Sequence, residues 1–178
     1  MTTTTTDEGP RAWVGCLACY NEGRLTGDWV EAVDAPDFTP CRRPGHEEWW
    51  VLDHDGYEGL LTGECSPDEA GRVGELHDEL TAAGVSVPLF VEWCDNLGTA
   101  PALDELEAFT DAYAGAFDSL EDWAWDELEG MGMLAALPEW AQTHAGALVA
   151  SWASDERLGG SVWTTRRDGL VHVFRVLA

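Results

Sequence analysis

The chain alternates between two hydrophobic rhythms, and the rhythms divide it. Residues 12–20 are small and apolar with Trp13 and Tyr20 at the ends, which reads as a strand. Asn21-Glu22-Gly23 then turns the chain. Residues 27–33 alternate acid and apolar and predict a second strand or a short helix. Residues 34–45, with Pro36, Pro40 and Pro44, predict a loop, and residues 46–54 a further strand built on Trp49, Trp50, Val51 and Leu52.

From residue 66 the period lengthens to that of helices. Ser66-Pro67-Asp68-Glu69 is a helix start, with Ser at the N-cap, Pro at the first helical position and an acid at the third. Val73, Leu76, His77 and Leu80 follow as one apolar stripe, and Gly84 closes it. Ser86-Val87-Pro88 opens the next helix, with Leu89, Trp93 and Leu97 on one face and Gly98 after it. Leu103, Leu106, Phe109 and Tyr113 form a third stripe, and Gly115 marks a break. Asp118 or Ser119 caps another helix, with Leu120, Trp123, Leu128 and Met131 directed inward. Pro138 starts a further helix through Trp140, Ala147, Leu148 and Trp152. Residues 161–167 and 170–176 read as strands of a hairpin joined by Asp168-Gly169.

These elements predict an α+β fold made of three small domains in a row. Residues 1–11 are a polar, Thr-rich lead-in expected to be disordered. Residues 12–64 form a β-rich antiparallel unit, residues 65–115 a central acidic helical unit, and residues 116–178 an α+β unit ending in the hairpin. No apolar run approaches the length of a membrane span. The start lacks the basic and apolar regions of a signal peptide, so a cytoplasmic protein is expected.

Charge changes this picture most. The chain has 34 acids, nine Arg and no Lys, a formal net charge of −25. Eighteen acids and no base lie in residues 73–156. So much charge of one sign opposes compaction, yet 45% of the residues are hydrophobic and ten are Trp, enough for a core. The acids of the helical segments cannot face that core without a large desolvation cost, so they project to water. A surface of that density resembles a nucleic acid. Duplex DNA carries one charge per roughly 1.7 Å, so 25 charges correspond to roughly 40 Å of duplex and a dimer to roughly 85 Å. Uniform acidity of a merely soluble protein does not leave Arg near the two ends and a nearly pure anionic middle.

Other chemistry is weaker. Cys16-Leu-Ala-Cys19 with Cys41 and His46 has the residue types of a zinc site, but on a strand residues three apart point to opposite faces, so no metal and five buried free thiols are expected. Asp53, Asp55 and Glu64 fit a calcium-loop spacing, but the required Gly is Glu58 and no helix precedes. Carboxylate pairs are too numerous to single out an acid/base site, and no phosphate loop or nucleophile elbow is present. No catalytic residue and no cofactor is assigned, and direct binding of nucleic acid is opposed by the charge.

Four blocks, in order, resemble one family. Ala18-Cys19-Tyr20-Asn21-Glu22-Gly23 with Gly27-Asp28-Trp29 resembles the opening of ArdA-type antirestriction proteins. Glu47-Glu48-Trp49-Trp50-Val51-Leu52-Asp53-His54-Asp55-Gly56-Tyr57 is similar to their next block. Phe109-Thr110-Asp111-Ala112-Tyr113-Ala114-Gly115-Ala116-Phe117-Asp118-Ser119 is similar to a third. Gly159-Gly160, Trp163 and Val171-His172-Val173-Phe174-Arg175 resemble their ending. The opening strand with two Cys and the Pro-rich loop at 35–45 depart from that pattern.

The resemblance implies a DNA mimic of three small domains, an elongated homodimer carried by mobile genetic elements. Such a protein occupies the DNA groove of Type I restriction-modification enzymes at their methyltransferase core. The acids expected to stand in for phosphates are Asp104, Glu105, Glu107, Asp111, Asp118, Glu121, Asp122, Asp126, Glu127 and Glu129. The alternatives are an acidic adaptor or inhibitor that binds another basic DNA-binding protein without duplex geometry, and a hydrolase using one carboxylate pair.

Overall fold

A computed structural model describes residues 9–176 of the 178. Residues 1–8 of the expected lead-in lie outside the described residues, and Pro10 is buried. The fold is mixed α+β with two three-stranded antiparallel sheets. It divides into two compact units, Met1–Leu106 and Glu107–Ala178.

In the first unit β1 (Arg11–Cys16) is the middle strand, flanked by β2 (Gly27–Glu31) and β3 (Trp49–Asp55). Trp13 pairs with Trp29 on one side and with Asp53 on the other, and the β1–β3 register shifts between Trp13 and Val14. The expected strand through Tyr20 stops at Cys16, and Leu17–Asn21 is a short helix, α1. β2 likewise gives way to a 3-10 helix, Ala32–Asp37, which takes the last two residues of the expected strand or short helix and the first four of the expected loop.

α2 (Pro67–Ala82) begins as its capping box requires, with the Ser66 hydroxyl accepting from the Glu69 amide at 3.1 Å. It packs on the 3-10 helix through two glycines. A Cβ on Gly71 would lie 2.6 Å from Pro36 Cγ, and one on Gly74 would lie 2.5 Å from the Ala32 Cβ. α2 also packs against β1 and β3. Ala12, Val14, Ala32, Ala35, Val51, Tyr57, Leu61, Cys65 and Ala70 make the core, and the Tyr57 hydroxyl donates to the Ala70 carbonyl at 3.2 Å. α3 (Val87–Leu97) buries Leu89, Phe90, Trp93 and Cys94 and ends at Gly98 in the left-handed region.

The second unit contains most of α4 (Glu105–Ala112), whose helix ends before Tyr113. Tyr113–Phe117 is instead a strand, β4, with a register shift at Tyr113/Gly115 where Gly115 has φ +134°. The expected stripe member Leu103 is exposed. α5 (Leu120–Gly130) follows, then a short α6 (Glu139–Gln142) and α7 (Ala145–Gly159) where one helix was expected. Met131, Trp140 and Leu148, expected in the apolar stripes, are exposed: Met131 is already the C-cap of α5, and with α6 and α7 separate the buried positions are Ala141, Val149 and Ala153.

β5 (Val162–Arg167) and β6 (Leu170–Arg175) form the expected hairpin. Asp168 and Gly169 both have positive φ, as a two-residue turn matching the sheet twist demands. β6 is the middle strand, with β4 on its other side. The core joins Trp123, Ala124, Leu128, Val149, Ala153, Val162, Val171 and Val173. Trp123 stacks on Trp152 at 5.2 Å. Phe109, Tyr113 and Trp163 surround Phe174 at 5.1–5.5 Å. Among the described residues no helix is long and apolar enough to cross a membrane.

All five Cys are buried. The expectation that Cys16 and Cys19 diverge does not hold. The helix that starts at Leu17 turns Cys19 back beneath Cys16, so both thiols face Cys41 and His46. By contrast Asp53 and Asp55 lie on β3 and Glu64 is exposed beyond it, and no metal-sized cluster among the described residues includes them. His77 is buried and faces Asp78 at 3.6 Å and Glu58 at 4.0 Å, and His172 Nδ1 is 2.8 Å from the Tyr113 hydroxyl. Both are packed side chains.

Candidate partner-binding surface

Hydrophobic registration decides which way the acids point. In α4 the buried pair Phe109 and Ala112 faces the core, which leaves Glu107 and Asp111 exposed and Glu105 half-buried. Asp104, one residue before the helix, is exposed. Asp104 and Glu105 close the first compact unit, and the other eight acids of the expected set belong to the second.

α5 is the most strongly organised part of the set. Ser119 is its N-cap: the hydroxyl accepts from the Asp122 amide at 3.1 Å and donates to the Asp122 carboxylate at 2.6 Å. Glu121 and Asp122 sit in the first turn, where the partial positive charge of the helix end favours carboxylates. Trp123, Ala124 and Leu128 turn inward, so Glu121, Asp122, Asp126 and Glu129 face solvent. Asp118, just before the cap, is also exposed.

Glu127 differs from its neighbours. It is half-buried and forms an ion pair with Arg175 of β6, so this carboxylate secures α5 to its own sheet. Two other Arg–carboxylate pairs, Arg11–Glu31 and Arg24–Glu22, lie outside the expected set.

The acids of α2 were not in the expected set and share its geometry. Asp68, Glu69, Glu75, Asp78 and Glu79 are all exposed, on the side away from buried Ala70, Gly71, Gly74, Leu76, His77 and Leu80. The apolar stripe that marks this helix in the sequence already assigns them to the outer face. By charge the first unit has 22 acids and five Arg, the second 12 acids and four Arg. The surface offers carboxylates in rows on helices, a pattern suited to holding cations of a partner.

No curated protein matches the chain. A family model described as antirestriction protein (ArdA) matches residues 12–169, from the start of the first sheet to the turn of the final hairpin, and by that match the chain belongs to the ArdA antirestriction protein family.

Proposed function

We propose that this ArdA-family chain is a non-enzymatic antirestriction inhibitor whose carboxylates imitate DNA phosphates and occupy the DNA groove of a Type I restriction-modification enzyme at its methyltransferase core. In this reading the working form is a homodimer.

The observation that carries the reading is the charge density of α5. Its five carboxylates lie on 11 residues, about 16 Å of helix at about 1.5 Å per residue, or one per roughly 3.3 Å. One strand of B-form DNA carries a phosphate every roughly 3.4 Å. Setting aside Glu127, which Arg175 holds, the density is still one per roughly 4 Å. Lys and Arg of a DNA groove pair with such a row as they do with phosphates, and the many partial contacts add.

The test is competition. The protein is titrated into a preformed complex of a Type I methyltransferase core with its duplex, at several salt concentrations. Displacement that weakens steeply with salt is expected, together with no complex between this protein and bare duplex. A stable complex with bare duplex at moderate salt would remove the mimic reading. Binding to the core that leaves the duplex in place would favour an acidic adaptor instead.

A further inference from the structure

The first unit holds a second feature that the antirestriction reading does not use. Cys16 is the last residue of β1 and Cys19 lies in the first turn of α1. Cys41 and His46 come from the loop at 38–48, brought together by a turn at Gly45 with φ +81°. One donor atom from each of the four lies within 4.8 Å of the others. Cys19 Sγ is 3.8 Å from Cys41 Sγ, and His46 Nδ1 is 3.5, 3.4 and 3.7 Å from the sulfurs of Cys16, Cys19 and Cys41.

Those lengths are the edges of a particular tetrahedron. Zinc with bonds of about 2.3 Å to sulfur and about 2.0–2.1 Å to nitrogen separates its ligands by about 3.8 Å for S···S and about 3.6 Å for S···N. A disulfide is a poor account of the same atoms, since its sulfurs stand about 2.0 Å apart. Apolar packing is a poor account as well: Ala18 and Trp49 are the hydrophobic side chains described against the cluster. The far nitrogen of the ring adds an independent observation. His46 Nε2 faces the Glu22 carboxylate at 3.8 Å, the outer partner that orients metal-bound histidines.

We propose that Cys16, Cys19, Cys41 and His46 form a structural zinc site. Three thiolates select a soft ion over magnesium or calcium. Four protein ligands close the coordination sphere, so the site holds structure and does no chemistry. What it holds is the loop at 38–48, eleven residues without regular secondary structure in which Cys41 is the one buried residue. The ion ties that loop to the end of β1. Glu22 is a positioning residue for His46.

The full-length protein, purified without chelator, is assayed for metal, and its apoprotein is titrated with Co(II). About one zinc per chain is expected, with thiolate-to-cobalt charge transfer and tetrahedral d–d bands on titration. Cys19→Ser, Cys41→Ser and His46→Ala should lose both signals, while Cys65→Ser and Cys94→Ser, buried thiols elsewhere in the same unit, keep them. Should the cluster variants precipitate, the cobalt spectrum of the wild-type apoprotein and the zinc affinity of Glu22→Gln still decide. That affinity should fall about 10- to 100-fold. Absence of metal together with absence of the cobalt spectrum would overturn the site, as would a Cys19–Cys41 disulfide found by mass. Full metal content in both Cys41→Ser and His46→Ala would overturn the ligand set, and unchanged affinity in Glu22→Gln would overturn the role of Glu22.

Discussion

The two units build the same motif, a three-stranded antiparallel sheet covered by helices, but the side chains packed under the two sheets differ. Under the first sheet the core is mostly small side chains, with Ala12, Val14, Ala32, Ala35, Val51 and Ala70 packed with Tyr57 and Leu61, while the large rings Phe90 and Trp93 of that unit are buried on α3. α2 and the 3-10 helix come close there, with Gly71 and Gly74 of α2 against Pro36 and Ala32, but the small residues bury little area each. The second is aromatic, with the Trp123–Trp152 stack and the rings around Phe174. Each such ring buries about 150–250 Å², which matters in a unit at the size where a single core supplies only a few kcal/mol. Both interiors support an outer surface of exposed carboxylates. The surface charge therefore does not depend on one kind of core; it requires only that the apolar face be registered against the acidic one.

The comparison breaks most visibly at the aromatic stack. Trp123→Ala should cost about 3–5 kcal/mol of unfolding free energy, whereas Trp140→Ala, at a residue 76% exposed, should change it by less than about 0.5 kcal/mol. Denaturant titration measures both, and equal effects would end the distinction between core and surface aromatics.

The acidic face should respond in binding and not in folding. Replacing the exposed Asp118, Glu121, Asp122, Asp126 and Glu129 together by amides, with Glu127 left on Arg175, removes five contacts worth about 0.2–1 kcal/mol each. Inhibition of restriction should then weaken roughly 10- to 1,000-fold and its salt dependence flatten. Glu121→Gln alone should weaken it no more than about fivefold. One single substitution that abolished all activity in a folded protein would show that the charge is not acting collectively.

The small-residue interior is tested by addition. Gly74→Ala places a methyl 2.5 Å from the Ala32 Cβ and should cost about 1–3 kcal/mol. The same change at Gly84, where nothing lies within 4 Å, meets no such neighbour; its cost comes from φ +71° and should stay near 1 kcal/mol. Circular dichroism melts of the pair separate close packing from backbone strain.

The smallest effect concerns pH. Burial raises the Cys65 and Cys94 thiols from 9.0 to about 11. Below pH 9 both the folded and unfolded chains keep these protons, and nothing changes. Above it the unfolded chain ionises first, so stability falls as pH rises from 9 toward 11. At pH 9.5 the loss should be less than about 1 kcal/mol per thiol, and it should disappear in the double Ser variant once that variant's own baseline is subtracted.

Much of the fold was readable locally. The Ser66 capping box, the Gly98 stop, the Ser119 cap and the Asp168-Gly169 turn each act through neighbours in sequence, and each appears where it was expected. The failures share a cause. The run at 12–20 is apolar throughout, and periodicity does not separate a buried strand from a strand that turns into a helix. That one ambiguity hid the approach of Cys19 to Cys16. Tyr113 fits the stripe of α4 by spacing, but pairing with β6, distant in sequence, draws it into a strand. The exposed acids were legible because desolvation leaves them only one side to occupy. The meeting of Cys41 with Cys19 depends on where a Pro-rich loop closes, which is a tertiary outcome.

The two glycines of α2 carry a consequence for redesign. The helix is seated by what Gly71 and Gly74 lack, so its docking instructions are written on the inner face alone. Positions 68, 69, 75 and 79 form a separate register that can be recoded, whereas Asp78 also faces the buried His77. Carboxylates can be moved by a turn, thinned or exchanged to suit a differently shaped cationic cleft, while the backbone they ride on stays in place. α2 is in that sense an exchangeable label on a fixed mount, and the two glycines are the positions any such recoding must leave alone.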